Sequence, residues 1–143
     1  MKTSLVTGGA GFIGSHLVDK LLSMGHNVIV LDNETSDGHD QYYWNDRATN
    51  YPVDIRTFWH IADKFRGVDY VYHLAAKASV QASIAKPMDT METQVMGTVN
   101  VLEAARAAGV EKFIYSSTSA CYGNNNPIPN TEIMREDPLN AYA

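Results

Sequence analysis

The sequence has little that would cross-link the chain, span a membrane or bind nucleic acid. Cys121 is the single cysteine among 143 residues, so no disulfide can form within the chain. The longest uninterrupted apolar run covers residues 28–31, far below the roughly 20 residues of a membrane-spanning helix. Acidic residues outnumber basic ones by 16 to 11, and no basic cluster offers a surface for nucleic acid. We therefore expect no membrane and no nucleic acid as partners, and a reducing cytoplasmic location.

Composition and length agree with one folded unit. Hydrophobic residues make up 45% of the chain and charged residues 19%, which is ordinary for a globular protein. Domains typically hold about 100 to 200 residues, and a chain of this size buries enough surface to fold without a metal or disulfide staple. The sequence predicts a single domain over residues 1–143.

Short apolar strands alternate with amphipathic helices along the chain. The predicted strands cover residues 5–7, 28–31, 51–55, 68–74 and 112–116. The predicted helices cover residues 12–24, 58–65 and 87–108. Pro52 places the third strand at an edge or a strand start, and residues 33–50 indicate mostly loop with at most one short helix. This order predicts an α/β fold: a Rossmann-type, doubly wound parallel sheet of about five strands in one domain.

A glycine motif between the first strand and the first helix is the strongest functional signal. In residues 7–14, Thr-Gly-Gly-Ala-Gly-Phe-Ile-Gly, Gly8 permits a tight turn, Gly11 allows the backbone to approach a pyrophosphate, and Gly14 allows close packing of the helix. Asp32 ends the second strand 18 residues after Gly14, where a carboxylate can accept hydrogen bonds from a ribose. A carboxylate there would repel a 2′-phosphate, so the pattern favours NAD over NADP as the cofactor. The alternative is a glycine turn that binds no ligand.

Further motifs follow in order along the chain. They are Asp32-Asn33, Asp54-Ile55-Arg56, His73-Leu74-Ala75-Ala76, the segment GTVNVLEAA at 97–105 and the segment SSTSACYG at 116–123. Together with the glycine motif, they make the chain resemble the N-terminal part of an extended short-chain dehydrogenase/reductase. The resemblance is to the NAD-dependent nucleotide-sugar epimerase/dehydratase group, and it covers essentially all 143 residues.

The resemblance implies a role for each matching position. The pyrophosphate would lie against Gly8, Gly11, Phe12 and Ile13, the adenosine ribose against Asp32 and Asn33, the adenine against Asp54 and Ile55, and the nicotinamide side against Leu74, Ala75 and Ala76. The catalytic positions would be Thr118, which hydrogen-bonds the reacting sugar hydroxyl, and Tyr142, which removes its proton while the C4 hydride passes to NAD. The implied substrate is a nucleotide sugar, a UDP-hexose, bound with the help of a C-terminal half.

The chain departs from the family's pattern at two places, and the first of them narrows the subclass. Dehydratases of this group carry an acid just before the Tyr-Gly pair, because elimination of water needs an acid and a base. Ser119 and Ala120 occupy those positions and cannot titrate, so the chain is more like a UDP-sugar 4-epimerase than a dehydratase or decarboxylase. Gln94 stands where the family usually has asparagine, and we leave it outside the predicted site.

The end of the sequence given leaves three interpretations open. The family's lysine would be residue 146, and a phenol without a nearby cation stays protonated at neutral pH, so we expect Tyr142 alone to be a weak base. The chain is then an NAD-binding enzyme fragment without its substrate domain, a stand-alone NAD-binding module, or one half of a split enzyme. A fragment of a dehydratase or reductase remains an alternative to the epimerase.

Other reactive residues have simpler interpretations. We expect Cys121 to be a small buried thiol, and Asp37, His39, Asp40 and Asp46 to be a solvated surface instead of a metal site, so no metal is predicted. His73 is explained as well by packing as by catalysis. The methionines at 88, 91 and 96 are interpreted as helix packing, although the resemblance also implies a homodimer contact along the helix over 88–108. The outer edge of the fifth strand is expected to be unpaired.

Overall fold

A computed structural model describes residues 1–36, 38, 40–140 and 142–143. The strands are β1 (Thr3–Thr7), β2 (Asn27–Asp32), β3 (Thr49–Pro52), β4 (Tyr70–His73) and β5 (Lys112–Tyr115). The α-helices are α1 (Phe12–Ser23), α2 (Phe58–Ile61), α3 (Val80–Ala85), α4 (Pro87–Met91) and α5 (Thr98–Ala108). Two 3-10 helices cover Ala62–Phe65 and Ser119–Tyr122, and a π-helix over Glu92–Gly97 joins α4 to α5.

The five strands form one parallel sheet in the order β3-β2-β1-β4-β5. Strand β1 lies at its centre, where Leu5 is in register with Ile29 of β2 on one side and Val71 of β4 on the other. The chain runs outward from β1 in one direction through β3 and then returns to continue through β4 and β5. The carboxyl ends of β1 and β4 therefore border the crevice at which such sheets bind ligands. The predicted doubly wound Rossmann-type fold is confirmed.

Both faces of the sheet are covered by apolar side chains. Consecutive strand residues point to opposite faces, so Leu5 belongs to one core and Val6 to the other. The Leu5 core includes Phe65 and Val101 from the helices that cross between β3 and β5. The Val6 core contains residues of α1, among them Val18. Burying one such side chain contributes roughly 1.5–3 kcal/mol, so these contacts fix the helices against the sheet and hold the strand ends in place.

Several predicted boundaries shift in the structure. Strand β3 covers Thr49–Pro52 instead of 51–55, although it is the edge strand that Pro52 indicated. The described residues between 33 and 48 contain no helix. Helix α3 was not predicted; it is a short helix in which the Ser79 hydroxyl accepts a hydrogen bond from the Ala82 N–H as a cap. The long predicted helix begins at Pro87 but contains a π-helical segment.

The outer face of the helices from α4 to α5 is apolar and exposed. Its exposed apolar residues are Met88, Met91, Val95, Met96, Val99 and Leu102. The interpretation of the three methionines as packing within the chain is therefore wrong. Cys121 is half-buried instead of fully buried. Within the described residues, β5 forms an edge of the sheet, and none of the helices combines the length and hydropathy of a membrane span.

Candidate functional site

Gly8, in the turn after β1, and Gly14, in the first turn of α1, have no room for a side chain. Gly8 has a φ of +68°, and its N–H donates a 2.7 Å hydrogen bond to the Leu31 carbonyl. A β-carbon at Gly8 would lie 2.8 Å from the backbone nitrogen of Ala75. A β-carbon at Gly14 would lie 2.1 Å from the Gly8 carbonyl oxygen. The first turn of α1 therefore packs directly against the turn, as the glycine motif requires.

Helix α1 begins at this turn, and its first residues line the cavity. Gly11 is the residue before the helix, and no described side chain caps it by a hydrogen bond. The first turn also contains no acidic residue. Phe12 and Ile13 line the cavity, and their side chains are 75% and 65% exposed. A helix start with unpaired N–H groups and a positive dipole end is suited to an anion such as a pyrophosphate.

Asp32 ends β2 with its carboxylate oriented by two backbone amides. Its Oδ2 accepts a 3.0 Å hydrogen bond from the Ala10 N–H, within the glycine turn, and its Oδ1 accepts a 2.8 Å bond from the Glu34 N–H. Each carboxylate oxygen has a further lone pair, so the group can still accept hydrogen bonds from two hydroxyls. The turn and the carboxylate are thus fixed relative to each other.

The loops after β2 and β3 meet through Asn33 and Asp54. The Asn33 Nδ2 donates to Asp54 Oδ2 at 2.9 Å, and Arg56 donates to the same carboxylate from Nε and Nη2, the latter at 2.7 Å. Burial by itself would raise the pKa of the Asp54 carboxyl, but the hydrogen bonds from Arg56 and Asn33 outweigh it and hold that pKa below its usual value. The loop backbone is also fixed, because Asn100 Nδ2 donates to the carbonyls of Ile55 and Arg56 at 2.9 Å each.

The loop after β4 is oriented by a buried histidine. His73 is 1% exposed; its Nδ1 lies 2.6 Å from Thr7 Oγ1 and its Nε2 lies 2.9 Å from Thr98 Oγ1. Thr7 Oγ1 already accepts bonds from the N–H groups of Leu74 and Ala75, each at 3.2 Å. Its hydroxyl proton is therefore the one donated to His73 Nδ1, which assigns the neutral Nε2–H tautomer. Burial lowers the pKa of His73 to about 4, so the imidazole is uncharged at neutral pH.

A cavity of about 640 Å³ joins these elements at the carboxyl ends of the strands. Twelve of the thirteen residues predicted for the site line it. They are Gly8, Gly11, Phe12, Ile13, Asp32, Asn33, Ile55, Leu74, Ala75, Ala76, Thr118 and Tyr142. Asp54 does not line the cavity and lies behind Asn33, to which it is hydrogen-bonded. The structure thus brings residues separated by more than 100 positions in the sequence to one cavity.

The two predicted catalytic residues come from the segment that follows β5. Thr118 precedes the 3-10 helix Ser119–Tyr122, and its Oγ1 accepts a 3.1 Å hydrogen bond from the Ala120 N–H. Tyr142 lies near the end of the chain, where its backbone N–H donates to Asn140 Oδ1 at 3.0 Å. Ser119, one of the positions at which dehydratases carry an acid, also lines the cavity.

Two residues of the cavity wall that lie outside the predicted site, Lys77 and Gln94, contact each other. Lys77 directly follows the predicted Leu74, Ala75 and Ala76, and its place in the same loop was the available signal. Gln94 was set aside because it departs from the family's asparagine, yet it lines the cavity and forms two hydrogen bonds with the Lys77 backbone.

The acidic loop residues weighed as metal ligands form no metal site that the structure describes. Asp37 and His39 lie outside the described residues. Among the residues that are described, no group of three or more histidine, cysteine, aspartate or glutamate side chains could hold a metal ion.

The parallel sheet, the glycine turn against a helix start and the acidic end of β2 define a dinucleotide-binding α/β protein. The sequence profile of the NAD dependent epimerase/dehydratase family matches residues 4–143. The chain belongs to this family.

Known proteins resemble the chain over nearly its whole length. A UDP-glucose 4-epimerase of Lacticaseibacillus casei is 37% identical over 142 residues, which are 98% of this chain and 42% of that relative. The crystal structure of the Thermotoga maritima UDP-glucose 4-epimerase with UDP-glucose matches with a TM-score of 0.90 at 40% identity, over 98% of this chain and 46% of that one. The structure of the Streptomyces venezuelae dTDP-glucose 4,6-dehydratase with NAD bound matches with a TM-score of 0.86 at 36% identity. The match covers 98% of this chain and 47% of the dehydratase chain. The chain therefore spans less than half the length of these relatives.

Proposed function

We propose that the chain is the NAD-binding part of a nucleotide-sugar 4-epimerase of the UDP-glucose and UDP-galactose type. The observation that carries the proposal is the single cavity in which a glycine turn, Asp32, Thr118 and Tyr142 come together. A site for a dinucleotide alone would not need the last two. Similarity to relatives with the same named activity supports the assignment.

The described residues fit a dinucleotide. A pyrophosphate would lie at the start of α1, where Gly8 and Gly14 leave no side chain between the turn and the helix. Asp32 would accept hydrogen bonds from the adenosine ribose, and its negative charge would disfavour a 2′-phosphate. Ile55 would border the adenine, and Asp54 would orient Asn33 by accepting its hydrogen bond. The loop of Leu74 to Ala76 would border the nicotinamide.

The proposed chemistry uses two side chains at the sugar. NAD, when bound, supplies the acceptor for the hydride from the sugar C4. Thr118 uses one lone pair for the Ala120 N–H, so its O–H proton and second lone pair serve the substrate hydroxyl. Tyr142 would take the hydroxyl proton as the carbonyl forms at C4, and return it when the hydride is restored to the opposite face.

The subclass depends on the residues beside Thr118. Elimination of water requires a titratable acid near the leaving hydroxyl. Ser119 lines the cavity at one of the expected positions and Ala120 follows it, and neither can titrate. This favours epimerisation, although a dehydratase is nearly as similar in structure.

A two-stage experiment tests the proposal. Calorimetry with NAD is expected to show one site per chain, and the absence of binding heat at millimolar NAD would overturn it. The complete protein is then assayed with UDP-galactose, with UDP-glucose as the expected product. Thr118→Val and Tyr142→Phe are expected to lower kcat/KM at least about 100-fold while NAD binding stays within about twofold. A 4-keto-6-deoxy product would identify a dehydratase instead.

The assembly and location are part of the same proposal. The exposed apolar face from Met88 to Leu102 supports a homodimer contact along the helix over 88–108. The single cysteine agrees with a reducing cytoplasm. Sedimentation of the wild type and of Val99→Glu tests the dimer, since a charge at the centre of the exposed face should shift the protein towards monomer.

A further inference from the structure

A closed ring of hydrogen bonds and ion pairs lies at the adenosine end of the cavity. Its members come from the loops after β2, β3 and β4 and from helix α4. They are Asn33, Thr35, Asp54, Arg56, Asp89 and Lys77. The contacts that join different elements link residues at least 12 positions apart in the sequence, so the ring is a tertiary feature.

One half of the ring is formed around Arg56. Asn33 Nδ2 donates to Asp54 Oδ2 at 2.9 Å, and Arg56 Nη2 pairs with the same oxygen at 2.7 Å. Arg56 Nη1 then donates to Asp89 Oδ1 at 2.9 Å. The guanidinium thus bridges the loop after β3 and helix α4 with two charge-assisted hydrogen bonds.

The other half of the ring is closed by Lys77. Its Nζ lies 3.6 Å from Asp89 Oδ2 and donates a 2.9 Å hydrogen bond to the Thr35 carbonyl. Thr35 Oγ1 donates to Asn33 Oδ1 at 2.7 Å, and this hydrogen bond closes the ring at Asn33. Lys77 is therefore the link that connects the loop after β4 and helix α4 to the loop that carries the adenosine-binding positions.

The backbone of Lys77 is also fixed, by two hydrogen bonds to the side chain of Gln94. Its N–H donates to Gln94 Oε1 at 2.9 Å, and its carbonyl accepts from Gln94 Nε2 at 3.0 Å. Gln94 lies in the π-helix, a segment type often found at functional sites. The Lys77 side chain is only 12% exposed, and it is the one positively charged side chain among the described residues that line the cavity.

The Lys77 ammonium offsets part of the negative charge of the ring. Within the ring, Arg56 and Lys77 balance Asp54 and Asp89, and the Glu92 carboxylate also lies 3.8 Å from Arg56 Nη1. Without the ammonium, Arg56 would be the one ring cation left beside Asp54, Asp89 and Glu92, so an anionic dinucleotide would approach a more negative surface. The Thr35 carbonyl would also lose its cationic partner.

We propose that Lys77 is a positioning residue that fixes the adenosine end of the dinucleotide site by closing this ring. The inference rests on the proposed binding of NAD and adds a residue that orients the loop of Asn33 and Thr35. It concerns the adenosine half alone, so a ligand that lacks the nicotinamide should report it as fully as NAD does.

Calorimetry on three variants with NAD and with ADP-ribose tests the proposal. Lys77→Met keeps the chain length but removes the charge and the donor, and it is expected to weaken both ligands by the same factor, about tenfold. Lys77→Arg can still reach an acceptor and a carboxylate, and should stay within about threefold of wild type. Lys86→Met removes an exposed lysine just before α4 and serves as the matched control, with unchanged affinity.

The outcomes separate this inference from the proposed function. If the wild type binds neither ligand, the NAD site itself is refuted, and this inference with it. If the wild type binds and Lys77→Met binds equally well, or if only NAD and not ADP-ribose is affected, the inference alone fails. A Lys77→Arg variant as weak as Lys77→Met also overturns it. Circular dichroism and urea unfolding verify each fold, and Lys77→Gln replaces Lys77→Met should the latter not fold.

Discussion

The Nδ1 of His73 lies 2.6 Å from the Thr7 hydroxyl oxygen, and this buried bond connects the centre of the sheet to the wall of the cavity. Thr7 in turn accepts the amides of Leu74 and Ala75, so the hydrogen-bond chain runs from β1 to the predicted nicotinamide side. The imidazole is neutral in this arrangement, and its protonation would remove the acceptor that the Thr7 hydroxyl needs.

This burial makes stability depend on pH. The folded-state pKa of His73 is about 4 and the ordinary value is 6.5, so between these pH values the unfolded state binds the extra proton. The contribution of neutral His73 to the unfolding free energy is therefore fully present above pH 6.5. It is lost as the pH falls towards 4, and the total loss is about 3 kcal/mol. His73→Gln cannot titrate and should lack this component. Urea unfolding of both proteins at pH 7.5, 5.5 and 4.5 measures it, and a pH-independent difference between them would contradict the prediction.

Replacing Gly14 should disrupt the turn and the helix together. The added β-carbon of Gly14→Ala would lie 2.1 Å from the Gly8 carbonyl oxygen, which is backbone and cannot rotate away. We expect a loss of about 3 kcal/mol or more in unfolding free energy and no detectable NAD binding, because α1 must move off the turn. Thermal unfolding and calorimetry check this.

Gly25→Ala is the control for the Gly14 variant. Gly25 has a φ of +83° but nothing within 4 Å of an added β-carbon. The Gly25→Ala variant should therefore lose only about 1 kcal/mol of unfolding free energy, from backbone strain, and its NAD affinity should be unchanged. Equal losses in the two variants would show that steric contact at Gly14 is unimportant.

Asp32→Asn should alter cofactor selectivity. The substitution removes the negative charge. It also replaces one carboxylate oxygen by an NH₂ group, which cannot accept the hydrogen bond from the Ala10 N–H or the Glu34 N–H. NAD affinity is expected to fall about tenfold, and the preference for NAD over NADP should narrow because the 2′-phosphate is no longer repelled. Parallel titrations with the two dinucleotides measure both effects. Asp63→Asn, an exposed carboxylate paired with Lys64, should change neither; an unaltered NAD preference in Asp32→Asn would count against the assigned role.

Asn100→Ala should loosen the loop after β3. The amide of Asn100 donates to the carbonyls of Ile55 and Arg56, and truncation leaves both half-buried acceptors without it. Unfolding free energy is expected to drop by about 1–3 kcal/mol, with weaker NAD binding. The exposed Asn125, which donates to Asp137, provides the comparison, since Asn125→Ala should cost under about 0.5 kcal/mol. Similar costs at both positions, measured by urea unfolding, would refute the loop-fixing role of Asn100.

The parts of the fold that the sequence could predict are those encoded within a few residues. Strand β2 and helix α1 have strong periodicity and a glycine boundary, so their limits were predicted within one or two residues. Strand β3 begins two residues and ends three residues before the predicted range, because its short segment has no clear alternation of buried and exposed residues. The π-helix over Glu92–Gly97 was missed because the apolar spacing there still fits an ordinary helix.

The candidate site divides in the same way. The sequence by itself determined the glycine turn, the acidic end of β2 and the expectation of a parallel sheet, because these depend on backbone geometry and on adjacent residues. Only the tertiary structure decided that Asp54 stands behind Asn33, that His73 is a neutral donor to Thr98, and that Lys77 closes a ring with Thr35. Those contacts join segments 21 to 42 positions apart, and their partners are chosen by how helices and strands pack, which no local pattern encodes.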